Sequence, residues 1–63
     1  MNREWKNAND SVPLDKQKVI LNIDGQTYNA AYDAEKNAFK LKNSLNIFWI
    51  EIKSRTIYWV EEI

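Results

Sequence analysis

The chain contains no cysteine and no histidine among its 63 residues. Disulfide bonds are therefore excluded, as are metal sites built from thiolates or imidazoles and nucleophiles of the Cys–His or Ser–His type. Glycine and proline occur once each, as Gly25 and Pro13, so a glycine-rich phosphate-binding loop is also excluded. The nine basic and nine acidic residues cancel, and the chain lacks the strong net positive charge that drives sequence-independent nucleic-acid binding.

Long apolar segments are missing as well. Runs such as Ile47 to Ile50 are far shorter than the roughly 20 residues of a membrane-spanning helix. The first ten residues, MNREWKNAND, lack the apolar centre of a signal peptide. We therefore expect a cytoplasmic protein that does not contact a membrane.

Aromatic residues are what the chain has in abundance, with three tryptophans, three tyrosines and two phenylalanines. A domain of this size buries only about 60% of the surface that its unfolded chain exposes. Large aromatic side chains compensate, because each buries roughly 150–250 Å² when it is packed. Most of these rings are therefore expected to form the core of one small domain.

Residues 1–17 are polar, apart from Trp5 and the pair Val12-Pro13. Because the residue before a proline is restricted to extended conformations, we expect an arm rather than a helix. Trp5 is predicted to fix this arm on a domain formed by residues 18–63, and to be buried together with Trp59.

The segment KVILNI-DG-QTYNAAYD predicts a tight β-hairpin at Asp24-Gly25, because a type I′ turn needs positive φ at both central residues. Its register pairs Leu21 with Tyr28 and Val19 with Ala30. One face of this ribbon is then apolar and the other is mixed, as in a half-buried antiparallel pair.

Residues 33–42 allow two interpretations. A short helix capped by Asp33 is one of them. A strand is preferred, because Phe39 and Leu41 alternate with lysines. A four-residue turn would place Tyr32 opposite Phe39.

The C-terminal segments IFWIEIK and TIYWVEE predict a last hairpin around Ser54-Arg55. This pairing would place Trp59 on the core side and Trp49 on the wetter side, beside charged residues. Together the strands predict an all-β fold, a five-strand antiparallel meander that curls into an SH3-like or open barrel.

The spacing of Trp5, Val12-Pro13 and the strand from Val19, followed by DGQTYNAAYD, resembles the domain of unknown function 551 family. That family closes with a Thr-His-Trp motif, which would correspond here to Ile57, Tyr58 and Trp59. The chain departs from the pattern, since it has no histidine there and VEEI replaces a proline-rich tail. The resemblance implies a small phage- or prophage-associated protein without an assigned activity, in which Trp5 and Trp59 form a structural pair.

Acidic residues near predicted turns show no spacing that would form a catalytic pair, and a domain this small leaves little volume for the cleft that such a pair needs. We therefore expect no enzyme activity, no catalytic residue, no cofactor and no metal. The expected function is that of a small accessory protein that binds a protein partner or weakly self-associates. The candidate interaction face groups side chains of the predicted last hairpin: Trp49, Tyr58, Val60, Lys53 and Arg55.

Two alternatives stay open. The same aromatic and basic residue types are those by which small barrels bind single-stranded nucleic acid, through base stacking and phosphate contacts. The third interpretation is a structural domain without a discrete site.

Overall fold

The computed structural model describes residues 4–43 and 46–62. Within them the chain forms six β-strands and one turn of 3₁₀-helix, Ile52–Ser54. The strands are β1 (Lys6–Asn7), β2 (Lys18–Ile23), β3 (Gln26–Asp33), β4 (Ala38–Asn43), β5 (Asn46–Glu51) and β6 (Tyr58–Glu61).

All six described strands belong to one antiparallel sheet in the order β1-β6-β2-β3-β4-β5. β1 and β5 do not pair with each other, so the sheet is open. The predicted all-β class with an open barrel-like sheet is confirmed, although the sheet has a sixth strand. None of the helices in the described residues is long and apolar enough to cross a membrane.

The β2–β3 hairpin has the predicted turn and register. Asp24 and Gly25 have φ values of 53° and 85°, and Ile23 lies opposite Gln26. The side-chain oxygen Oδ1 of Asn22 accepts a hydrogen bond from the Gly25 N–H at 3.2 Å. The local sequence is therefore sufficient to predict how this hairpin forms.

The next hairpin settles the choice between strand and helix in favour of the strand. β4 pairs with β3, and Tyr32 lies opposite Phe39 as predicted. Their rings are 5.4 Å apart between centroids and tilted by 58°. Asn37, at the end of the turn, has a φ of 51° and accepts a hydrogen bond from the Tyr32 hydroxyl at 2.7 Å.

The predicted last hairpin is wrong. β5 pairs with β4, whereas β6 lies at the other end of the meander and pairs with β2 and β1. The 3₁₀ turn and the following residues make this crossing, and both Ile52 and Ile57 enter the core. A simple meander would have left one edge of β2 unpaired; the crossing instead brings Trp59 opposite Leu21.

The N-terminal arm packs on the domain without burying Trp5. Trp5 is 43% exposed, so its predicted burial is wrong, whereas Trp59 is only 4% exposed. Among residues 4–17 of the arm, Ala8 and Pro13 are buried. The arm reaches Trp59 by its backbone, because the indole N–H of Trp59 donates to the Ser11 carbonyl at 2.9 Å.

The core lies on one face of the sheet, which we call the inner face. Its buried members come from four strands, from the 3₁₀ turn and from the segments flanking β1 and β6: Ala8, Val19, Leu21, Ile23, Tyr32, Phe39, Ile52, Ile57 and Trp59. The opposite, outer face carries Ile20 and Asn22 of β2 together with the residues that lie directly opposite them on β3 and β6.

Candidate functional site

The structure does not bring the five residues of the predicted interaction face together. Trp49 and Tyr58 are 42% and 41% exposed, and by register both lie on the outer face. However, β2, β3 and β4 separate their strands, which corresponds to about 19 Å along the sheet at the usual strand spacing. The two aromatic rings therefore belong to different surfaces.

The other three members of that predicted face are also dispersed. Val60 is only 8% exposed, so it offers no contact surface. Lys53 is exposed in the 3₁₀ turn. Arg55 follows that turn and lies beside a groove on the inner side of the sheet.

Exposed apolar side chains concentrate instead on β5, an edge strand. Ile47, Phe48 and Trp49 are 52%, 49% and 42% exposed. Their side chains alternate between the two faces, because successive side chains of a strand point in opposite directions. In the part of the chain that the structure describes, β5 pairs with β4 alone, and its other edge is open.

The predicted interaction face included neither Ile47 nor Phe48. A signal was present in the sequence, since IFWI has four consecutive large apolar residues in one strand. A strand with one buried face can bury only every second side chain. Half of this run therefore had to face outward, where another element or another molecule could cover it.

An open groove of about 740 Å³ lies on the inner side of the sheet. Apolar side chains form its floor, among them Tyr28, Leu41 and Phe48. Tyr28 is 37% exposed, and its hydroxyl donates to Gln26 at 2.8 Å. The groove also borders on Glu51 and Arg55. Because these residues carry opposite charges, the groove favours neither anionic nor cationic ligands.

On the outer face, Trp49 lies among lysines. The ammonium groups of Lys36 and Lys40 lie 5.2 Å and 6.0 Å from the centroid of its ring. Lys16, Lys40 and Trp49 line a small pocket of about 160 Å³, which also borders on Asp33. The predicted interaction face included Trp49 but did not place these three lysines beside it, because they come from the arm, a turn and a neighbouring strand.

Carboxylates do not gather into a metal site within the described ranges: no three Asp or Glu residues there lie close enough to hold an ion. Two acidic side chains accept backbone hydrogen bonds at turns. Asp15 accepts the Ala34 N–H at 2.9 Å, and Asp33 accepts the Lys36 N–H at 3.1 Å. These two side chains therefore have a structural role.

Comparison with known proteins gave no matching family model, no matching curated protein and no matching solved structure.

Proposed function

We propose that this protein is a small, non-enzymatic interaction protein that self-associates by pairing β5 of two copies edge to edge. One observation carries the proposal: β5 combines an open backbone edge with three adjacent exposed apolar side chains, Ile47, Phe48 and Trp49. Such an edge is a ready template for another strand, because its N–H and C=O groups have no partner in the sheet. In this six-residue strand every second residue directs those groups outward.

The second copy is the occupant that fits this edge best. Two β5 strands that run antiparallel about a two-fold axis present the same surface to each other, which is the commonest symmetry of soluble dimers. A register centred on Phe48 places Ile47 opposite Trp49 of the second copy. All three exposed side chains then gain a cross-strand neighbour, each pair contributing about 0.2–1 kcal/mol.

The dimer is expected to be weak and reversible. Stable protein interfaces bury about 1,200–2,000 Å² in total, which is more than the pairing of two six-residue strands supplies by itself. The monomer should therefore predominate in dilute solution, and the dimer should form as the concentration rises.

Sedimentation velocity over a range of concentrations tests this proposal on the wild type and on Phe48→Glu. In the centred register, Phe48→Glu sets two carboxylates against each other, so this variant should stay monomeric where the wild type dimerises. The matched control is Leu14→Glu, because Leu14 is 77% exposed but lies on the arm, outside β5.

Two outcomes would contradict self-association. One is a wild type that stays monomeric at every concentration, even if a different protein binds at β5. The other is dimerisation that Phe48→Glu and Leu14→Glu weaken to the same extent. Circular dichroism of both variants establishes that each keeps the sheet.

The biological setting is a separate part of the proposal. Phage or prophage association depends only on the motif resemblance around Trp5 and Val12-Pro13. The genes beside this one test it directly: neighbours that encode virion or lysogeny proteins would support the setting, and housekeeping neighbours would contradict it.

A further inference from the structure

We infer that the outer face of β4 and β5 binds single-stranded nucleic acid at a lysine–tryptophan patch, defined as Trp49 with Lys16, Lys36 and Lys40. Trp49 provides an aromatic surface that is 42% exposed. Lys36 and Lys40 hold their ammonium groups over this ring. An exposed ring surrounded by cations is the combination by which proteins bind single strands without sequence preference.

Tertiary structure brings Lys16 to this patch from a distant part of the chain. The Lys16 N–H donates to the Tyr32 carbonyl at 2.7 Å, which fixes the end of the arm against β3. Lys16 itself has a φ of 65°. Lys16 thereby borders the same small pocket as Lys40 and Trp49.

The three lysines keep their charge available for a ligand. Among the described residues, the ion pair that does form joins Lys6 to Glu61 at 3.8 Å, and none involves Lys16, Lys36 or Lys40. The acid that borders the pocket, Asp33, accepts the Lys36 backbone N–H instead. By register Glu51 also lies on this face, two residues from Trp49. Three lysines therefore face two nearby carboxylates, which leaves a small positive excess at the patch in a chain whose net charge is zero.

The interaction energies allow a nucleic-acid base to displace a lysine from the Trp49 ring. A cation over an exposed aromatic ring contributes about 0.5–1 kcal/mol, whereas stacking of a base on an aromatic side chain contributes about 1–3 kcal/mol. A base can thus take the place of an ammonium group, which then moves to a phosphate. Three such phosphate contacts predict a slope of about −2 for the logarithm of affinity against the logarithm of salt concentration.

Fluorescence anisotropy of a labelled oligothymidylate of about eight nucleotides, titrated at low and moderate salt, tests the patch. Lys36→Gln and Lys40→Gln should each weaken binding and reduce the salt slope by about 0.7. Trp49→Leu should weaken binding about fivefold or more. The matched control is Lys53→Gln, which removes the same charge from an exposed lysine of the 3₁₀ turn and should leave the affinity near the wild-type value.

This inference and the proposed self-association fail independently. Phe48 lies on the opposite face of β5 from Trp49, so Phe48→Glu should remain able to bind the oligonucleotide. The inference is wrong if the wild type does not bind at low salt, or if Lys53→Gln weakens binding as much as Lys36→Gln. Equal competition by an acidic peptide of matched charge would also overturn it, because a peptide has no base to stack.

Discussion

The two edges of the sheet differ in nearly every respect that controls association. β1 is only two residues long and presents Lys6 and Asn7. β5 is six residues long and presents three exposed apolar side chains in a row. Short strands and lysines are common means of preventing edge-to-edge pairing. The chain thus protects one edge and leaves the other open, which indicates where a partner strand would add.

The same contrast appears in the environments of two tryptophans. Trp59, near the β1 edge, is 4% exposed and donates to the Ser11 carbonyl, and Lys6 lies 4.6 Å above its ring. Trp49, on the β5 edge, is 42% exposed and has lysine ammonium groups over its ring. Identical residues are therefore a core element at one end of the sheet and a surface element at the other.

Alanine substitutions at Trp59 and Trp49 should show the largest difference in stability between the two ends of the sheet. Trp59→Ala should cost about 3–5 kcal/mol, because it removes a fully packed ring. A core this small rarely supplies more than about that amount, so the variant should be largely unfolded. Trp49→Ala should keep a cooperative thermal transition near that of the wild type. Far-ultraviolet circular dichroism during heating measures both, and an unfolded Trp49→Ala beside a native Trp59→Ala would reverse the assignment.

The turn at Gly25 tests whether the two ends unfold as one unit. A Cβ added at Gly25 would meet no heavy atom within 4 Å, so the cost of Gly25→Val comes from its φ of +85°. Because a β-branched residue is strained in that conformation, Gly25→Val should lower the free energy of unfolding by about 2 kcal/mol. Gly25→Asn should lower it much less, since asparagine tolerates a positive φ.

Tryptophan fluorescence and circular dichroism should report the same lowered midpoint in urea for Gly25→Val. Separate midpoints for the two probes would show that the ends unfold independently. A midpoint equal to that of Gly25→Asn would be inconsistent with the left-handed turn.

The smallest expected change in stability comes from phenylalanine substitutions at Trp59 and Trp5. Trp59→Phe keeps an aromatic ring but loses the indole donor to the Ser11 carbonyl, which should cost about 1 kcal/mol. Trp5→Phe should change stability by less than that, since Trp5 is 43% exposed. Urea unfolding measures both variants. A larger loss for Trp5→Phe would restore the structural role that the family resemblance assigned to this residue.

Local features of the sequence predicted much of the fold and little of the site. The register from Val19 to Ala30 follows from one tight turn, and the choice of strand around Phe39 follows from alternation with lysines. The residues of the candidate face are dispersed because their grouping assumed that β5 and β6 pair with each other, whereas β5 pairs with β4 and β6 with β2. Of its five residues, Trp49 alone belongs to the patch inferred above, whose lysines come from three other parts of the chain.

The sequence by itself determined the all-β class and both hairpins between residues 18 and 43. Those features depend on turn dihedrals and on a two-residue period, which act over a few neighbouring residues. Only the tertiary structure decided that β6 crosses to β2, that Trp5 stays half exposed and that β5 ends as an open apolar edge. These depend on which strand covers which edge, a competition between distant segments that local patterns do not encode, because the same alternating strand can pair on either side.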